Sequence, residues 1–224
     1  MTSLLLLKLI LAPSFVAFLS FIQRRWGDGL GGRLIGLPIT TGPFIFIIYL
    51  QEGSSFASDA AHGVLVGQVA LIIFAWSYST SAVKYQWRRA LAQGSAACII
   101  SGAILTSFYI PLGLLLLILL ITWSAATKFW PEYSNPPREK SAPRWELPAR
   151  LVVTVLLILS LTGFASLLGP RVAGALSTYP VITSVLGGFN QRRFGPGATV
   201  ATLQGMVQVL PLTIFIMTFL TISL

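Results

Sequence analysis

The chain has 224 residues and a mass of 24.2 kDa, with 55% hydrophobic and only 9% charged residues and a mean hydropathy of +0.82. Soluble domains carry about a quarter charged residues, so this composition excludes an ordinary cytosolic enzyme and a disordered chain. The formal net charge is +9, but the cations fall between apolar runs and read as orientation signals, not as a nucleic-acid surface.

A bilayer span needs ~20 mostly apolar residues. Runs of that kind predict an all-α, polytopic membrane protein whose eight transmembrane helices lie at about 3–22, 30–50, 61–82, 90–108, 111–127, 149–168, 171–188 and 197–222. The first run has no basic region before it and is interrupted by Lys8 and Pro13, which argues against a cleaved signal peptide. The second carries Pro38-Ile39-Thr40-Thr41-Gly42-Pro43 near mid-membrane. Asp59 is expected to cap the third, with His62 a turn on and Gly63 and Gly67 in GxxxG spacing. The fourth and fifth divide one long stretch, Arg89 to Lys128, at a turn over Tyr109-Ile110-Pro111-Leu112-Gly113. Trp130 to Arg150 is polar and proline-rich and reads as an extended linker, with Trp130, Tyr133 and Trp145 as interfacial anchors. The chain thus divides into a first half (1–127), a linker (128–148) and a second half (149–224) within one membrane domain. The seventh helix carries Ser177-Thr178-Tyr179-Pro180, and the eighth has Ala201 and Gly205 mirroring the GxxxG pair, with Gln204 and Gln208 on one face.

With eight spans, thirteen of the fifteen cations fall on one side. The positive-inside rule puts that side in the cytoplasm and both termini outside.

Leu30-Gly31-Gly32-Arg33-Leu34-Ile35-Gly36 and Leu168-Gly169-Pro170-Arg171-Val172-Ala173-Gly174 share Leu, Gly, Arg and Gly at an offset of 138. The register continues through Thr40 with Thr178, Phe56 with Phe194 and Gly67 with Gly205, and a one-residue gap pairs Pro43 with Pro180. In the predicted topology the second helix starts in the cytoplasm and the seventh outside, so the two units are inverted, an arrangement typical of secondary transporters. Each proline is expected to free the carbonyl four residues earlier, that of Ile39 or of Leu176. Two such breaks among Thr40, Thr41, Ser177, Thr178 and Tyr179 either build one shared polar site or are proline kinks healed by hydroxyl back-bonding.

The predicted spans contain no Asp or Glu, which disfavours proton-coupled export of cations. Arg33 and Arg171 lie one at each face, about two turns from the breaks; each either attracts an anionic substrate or anchors to lipid phosphate. Gln204, Gln208 and Gln68 either line a pocket or bond between helices, and His62 either couples protons or sits at the interface. No HExxH, GxSxG, paired acids or Cys/His set is present, and Cys98 is the lone cysteine, so no enzyme, cofactor or metal is expected. The expected partners are the lipid bilayer, a small-molecule substrate and a second copy of the chain through the GxxxG faces.

The run Ile35-Gly36-Leu37 through Pro43-Phe44 to Tyr49, then Gly63, Gly67 and an aromatic span ending near Tyr78, resembles the GlpM-like family of small bacterial inner-membrane proteins. The likeness covers about the first half and continues faintly through Gly174, Pro180 and Gly205, as a fused, diverged duplication would. It implies a bacterial inner-membrane location and carries over no catalytic residue. The expected function is a secondary transporter of a small anionic or neutral metabolite. The alternatives are an accessory protein of an envelope-polysaccharide or lipid-processing complex, or a lipid flippase. A polar central cavity, a solid core or a side-opening groove would favour the three in turn.

Overall fold

A computed structural model describes residues 2–38, 41–133, 145–168 and 179–224. Every regular element among them is an α-helix: α1 Thr2–Trp26, α2 Asp28–Gly36, α3 Thr41–Glu52, α4 Ser54–Lys84, α5 Trp87–Thr106, α6 Leu112–Lys128, α7 Glu146–Leu168, α8 Val181–Phe194 and α9 Pro196–Ser223. The all-α class is as the apolar runs predict. Two of these helices, α4 and α9, are long and apolar enough to cross a membrane, and α6 is apolar but shorter.

The long helices α4 and α9 form the centre and pack against each other. Near one end Ser58 Oγ of α4 donates to the carbonyl of Thr221 in α9 (2.8 Å). Near the other, Gln191 Nε2, just before α9, donates to the carbonyls of Ala82 (3.2 Å) and Tyr85 (2.9 Å) at the end of α4. The two helices therefore run antiparallel. Around them α2 packs along α9, α3 and α6 along α4, and α5 along α4. The first and seventh helices pair with each other, and α8 packs on α9 and α7. The main core lies between α4, α5, α6 and α9 and contains Leu65, Ile72, Phe74, Tyr78, Leu115, Leu119, Leu203, Met206 and Leu210.

Where α2 crosses α9 the backbones touch. A Cβ on Gly36 would lie 2.5 Å from the Met206 carbonyl oxygen, and one on Gly32 or Gly205 would collide with the carbonyl of Thr202 or Gly29. Only glycine permits this approach. The GxxxG expectation is met differently from the form it took in the sequence. Gly205 faces α2, whereas Gly63 is exposed with nothing within 4 Å of a Cβ.

The predicted second helix is two helices. Pro38 has no N–H to continue α2. The Leu37 N–H turns back to the Leu34 carbonyl (3.3 Å), and Thr213 Oγ1 of α9 donates to the buried Gly36 carbonyl (2.5 Å). The break is thus centred on Leu37-Pro38. Pro43 sits in the first turn of α3, where a missing N–H costs nothing. Asp59 does not cap α4: the helix begins at Ser54 after Gly53, and Asp59 stands in its second turn, exposed.

The start of α8 repeats the start of α3. The Pro38 carbonyl accepts from Gly42 N–H (2.8 Å), and the Pro180 carbonyl from Ser184 N–H (2.9 Å). At the far end of α3, Gly53 N–H donates to Tyr49 (3.1 Å); at the far end of α8, Gly195 N–H donates to Gln191 (3.1 Å). Gly53 has φ 87° and ψ −179°, and Gly195 has φ 83° and ψ 179°, a left-handed turn that glycine alone adopts freely. Each glycine then opens a long helix. Pro38 and Pro180, Gly53 and Gly195, and Gly63 and Gly205 all stand 142 residues apart. The structural register is therefore four residues longer than the sequence offset of 138.

Candidate functional site

The densest polar cluster lies where the last turn of α1 and the first turns of α2, α7 and α9 meet the end of α8. Glu146 and Arg150 are one turn apart on α7 and both only 3% exposed. Arg150 Nη2 donates to Glu146 Oε1 (2.6 Å) and to Asn190 Oδ1 (3.0 Å), and Nη1 to Ser20 Oγ (3.2 Å). Its guanidinium also stacks over Phe189 at 5.3 Å. Arg193, at the end of α8, donates to the other Glu146 oxygen. Asn190 is fully buried, and its Nδ2 reaches Gln23 Oε1 (3.2 Å), Asp28 Oδ1 (3.3 Å) and Thr202 Oγ1 (3.3 Å). One carboxylate thus serves two arginines, and one amide ties α8 to four other helices. Burial alone would raise the Glu146 carboxyl, but Arg150 and Arg193 more than offset it and hold it below its ordinary value.

This hub was not legible as a site in the sequence. Glu146 and Arg150 looked like the charged end of a linker, yet α7 begins at Glu146 itself. Among the described residues the acids do lie in loops or near helix ends, but Glu146 is buried. The available signal was the i, i+4 spacing of Glu146 and Arg150 at a helix start, with the polar run Asn190-Gln191-Arg192-Arg193 ending another.

The residues singled out in the sequence fall in separate places. Thr40, Arg171, Ser177 and Thr178 lie outside the described residues. Pro43 is described only as part of the α3 backbone. Thr41 Oγ1 is buried and has no hydrogen-bond partner among the described residues. Tyr179 shares a hydrogen bond with Ser95 Oγ (2.8 Å) and sets its ring edge-on to Phe74 (6.4 Å), which ties the second break to α5 and α4. Pro180 caps α8. The first break instead faces α9 through Gly36 and Thr213. Arg33, exposed on α2, reaches Gln208 Oε1 near the middle of α9 (3.5 Å). Gln204, one turn before, lines a separate polar recess with Thr127, Lys128, Glu132 and Tyr133. Gln68 is buried in α4, its Oε1 without a hydrogen-bond partner among the described residues, and His62 stacks flat on Tyr109 (5.9 Å). Among the described residues no group of three or more His, Cys, Asp or Glu could hold a metal ion.

Comparisons with family models, with curated proteins and with solved structures find no match to this chain.

Proposed function

We propose that the chain is a multi-pass protein of a bacterial inner membrane and works as a small secondary carrier. The observation that carries this reading is the matched pair of chain breaks on antiparallel units. Pro38–α3–Gly53–α4 and Pro180–α8–Gly195–α9 repeat the same hydrogen bonds and glycine geometry, and α4 opposes α9 in direction. In this reading they are an inverted repeat, α1 to α4 against α7 to α9, with α5 and α6 between. Two such halves can exchange conformations across a site at their interrupted middles.

Bilayer residence is supported by the outer surface. The sixth helix exposes Leu114, Leu117, Leu120 and Ile121, and α9 exposes Leu212, Phe215, Phe219 and Ile222, an apolar face that water would not tolerate. Cations gather at the other end of α9, from α1 (Arg24, Arg25), α4 (Lys84), α7 (Arg150) and α8 (Arg192, Arg193). The positive-inside rule makes that end cytoplasmic and sets both termini outside. The likeness of the first half to GlpM-like proteins then extends to the second as a diverged duplicate.

The substrate proposed is a small anion or neutral metabolite. Arg33 is an exposed cation beside mid-α9 whose hydrogen bond goes to neutral Gln208, a group suited to meeting a carboxylate or phosphate. Thr41 on one break and Tyr179 on the other supply hydroxyls, with Thr40, Ser177, Thr178 and Arg171 as their proposed companions. The Glu146 hub closes the cytoplasmic end in this state, since opening there separates α7 and α8 from α1. Proteoliposomes offered short-chain carboxylates or inorganic phosphate test the reading: saturable uptake, lost in Thr178→Val at unchanged yield, is expected. Absence of saturable flux for the whole panel, or unchanged flux in that variant, rejects it.

A further inference from the structure

A cavity of about 260 Å³ opens between α5, α7 and α8. Its floor is one stripe of α8, running through Ser184, Val185, Gly188, Phe189 and Arg192; Trp87 and Leu91 of α5 form one wall and Val153 of α7 the other. Gly188 leaves the floor open, since a Cβ there would make only ordinary contact with Leu91 and Trp87, at 3.7 and 3.8 Å. Both walls pack on α8, so the groove opens sideways between α5 and α7.

Three features say what fits. The lining is almost wholly apolar, and the stripe from Ser184 to Arg192 spans about 12 Å at the helical rise. The volume falls just short of the ~300–1,000 Å³ of pockets that enclose a whole ligand, which suits a single chain whose remainder stays in the bilayer. The mouth at the end of α8 is basic. Arg193 is held by Glu146, but its neighbour Arg192 is exposed with no ion pair among the described residues, and the Arg88 guanidinium stacks on the Trp87 wall at 5.4 Å. Deeper in, Ser184 is 2% exposed and its Oγ has no hydrogen-bond partner among the described residues.

We propose that this groove is a binding site for an anionic phospholipid. One acyl chain lies along α8 from Gly188 toward Tyr179, and the phosphate sits between Arg192 and Arg88 at the cytoplasmic surface. The site does not require that the chain transport anything.

The test is native mass spectrometry of the purified full chain titrated with phosphatidylglycerol or with phosphatidylethanolamine. Wild type is expected to retain phosphatidylglycerol preferentially. Arg192→Gln, an exposed substitution that leaves the core intact, is expected to lower that retention about fivefold, the effect of roughly 1 kcal/mol per basic residue near an anionic surface. Phosphatidylethanolamine should be unaffected. Lys128→Gln, at the end of α6 away from the groove, is the control for general attraction to the annulus. Equal retention of the two lipids by wild type, or an equal fall in Arg192→Gln and Lys128→Gln, overturns the proposal. Selective lipid retention without solute flux upholds the groove and rejects the carrier; flux without selective retention does the reverse.

Discussion

Replacing Glu146 with alanine removes the single carboxylate that two arginines share. Arg150 then stays buried at 3% exposure with Ser20 and Asn190 as its remaining polar partners, and Arg193 loses the same anion. Breaking a buried pair by deleting one partner costs about 3–5 kcal/mol, because the surviving charge has been taken from water without compensation. At 2–4 °C per kcal/mol for a chain of this size, that is roughly 6–20 °C in Tm. The assay is thermal unfolding of the purified protein in detergent, followed by tryptophan emission. The double variant Glu146→Leu, Arg150→Met is the decisive companion. It removes both charges and their desolvation together, and it should recover much of the loss. If Glu146→Ala melts within about 1 kcal/mol of wild type, the hub does not hold α1, α7 and α8 together and the reasoning fails.

The same carboxylate sets a pH dependence. Its folded value is lowered, so its contribution is complete above the unfolded value of about 4.3 and is lost as pH falls through the folded value beneath that. Wild type is therefore expected to lose stability only below pH ~4.3, with a shallower decline in Glu146→Gln; matching profiles would reject the assignment. Two glycines should respond oppositely. Gly205→Ala pushes a Cβ into the Gly29 carbonyl and should cost about 1–3 kcal/mol, whereas Gly63→Ala, with open space around it, should gain about 0.5–1 kcal/mol. Equal melting temperatures for the two would dissolve the α2–α9 contact. Single cysteines in a Cys98→Ala background report the sidedness: one at Ser223 should react from outside intact cells, and one at Lys84 only after permeabilisation. The reverse pattern inverts the topology.

Much of the fold is written in the local sequence. Runs of apolar residues between charges place α4, α5, α6, α7 and α9 to within a few residues at most ends, and the turn at 107–111 falls where Pro111 forbids continuation. Proline and glycine likewise announce both breaks, since a missing N–H or a positive φ is a property of the residue itself. Centring the first break on Pro43 went astray because a proline in the first turn of a helix is harmless, and one placed after a helix end stops it. Pro38 was the second kind.

Proximity was not legible. Nothing in the sequence says that Asn190 meets Gln23, that Glu146 is shared by Arg150 and Arg193, or that Gly205 lies against Gly29. Those facts depend on which helices pack together, and packing is decided by the whole chain at once. A charge at the end of an apolar run can face water, lipid phosphate or another buried charge with the same local sequence. The cost of burying it is met only when distant segments converge. Composition and periodicity thus determined that the chain is helical, apolar and punctuated by proline and glycine. Only tertiary structure decided that α4 and α9 pack directly on each other, that a carboxylate lies buried among arginines, and that a groove opens beside Arg192.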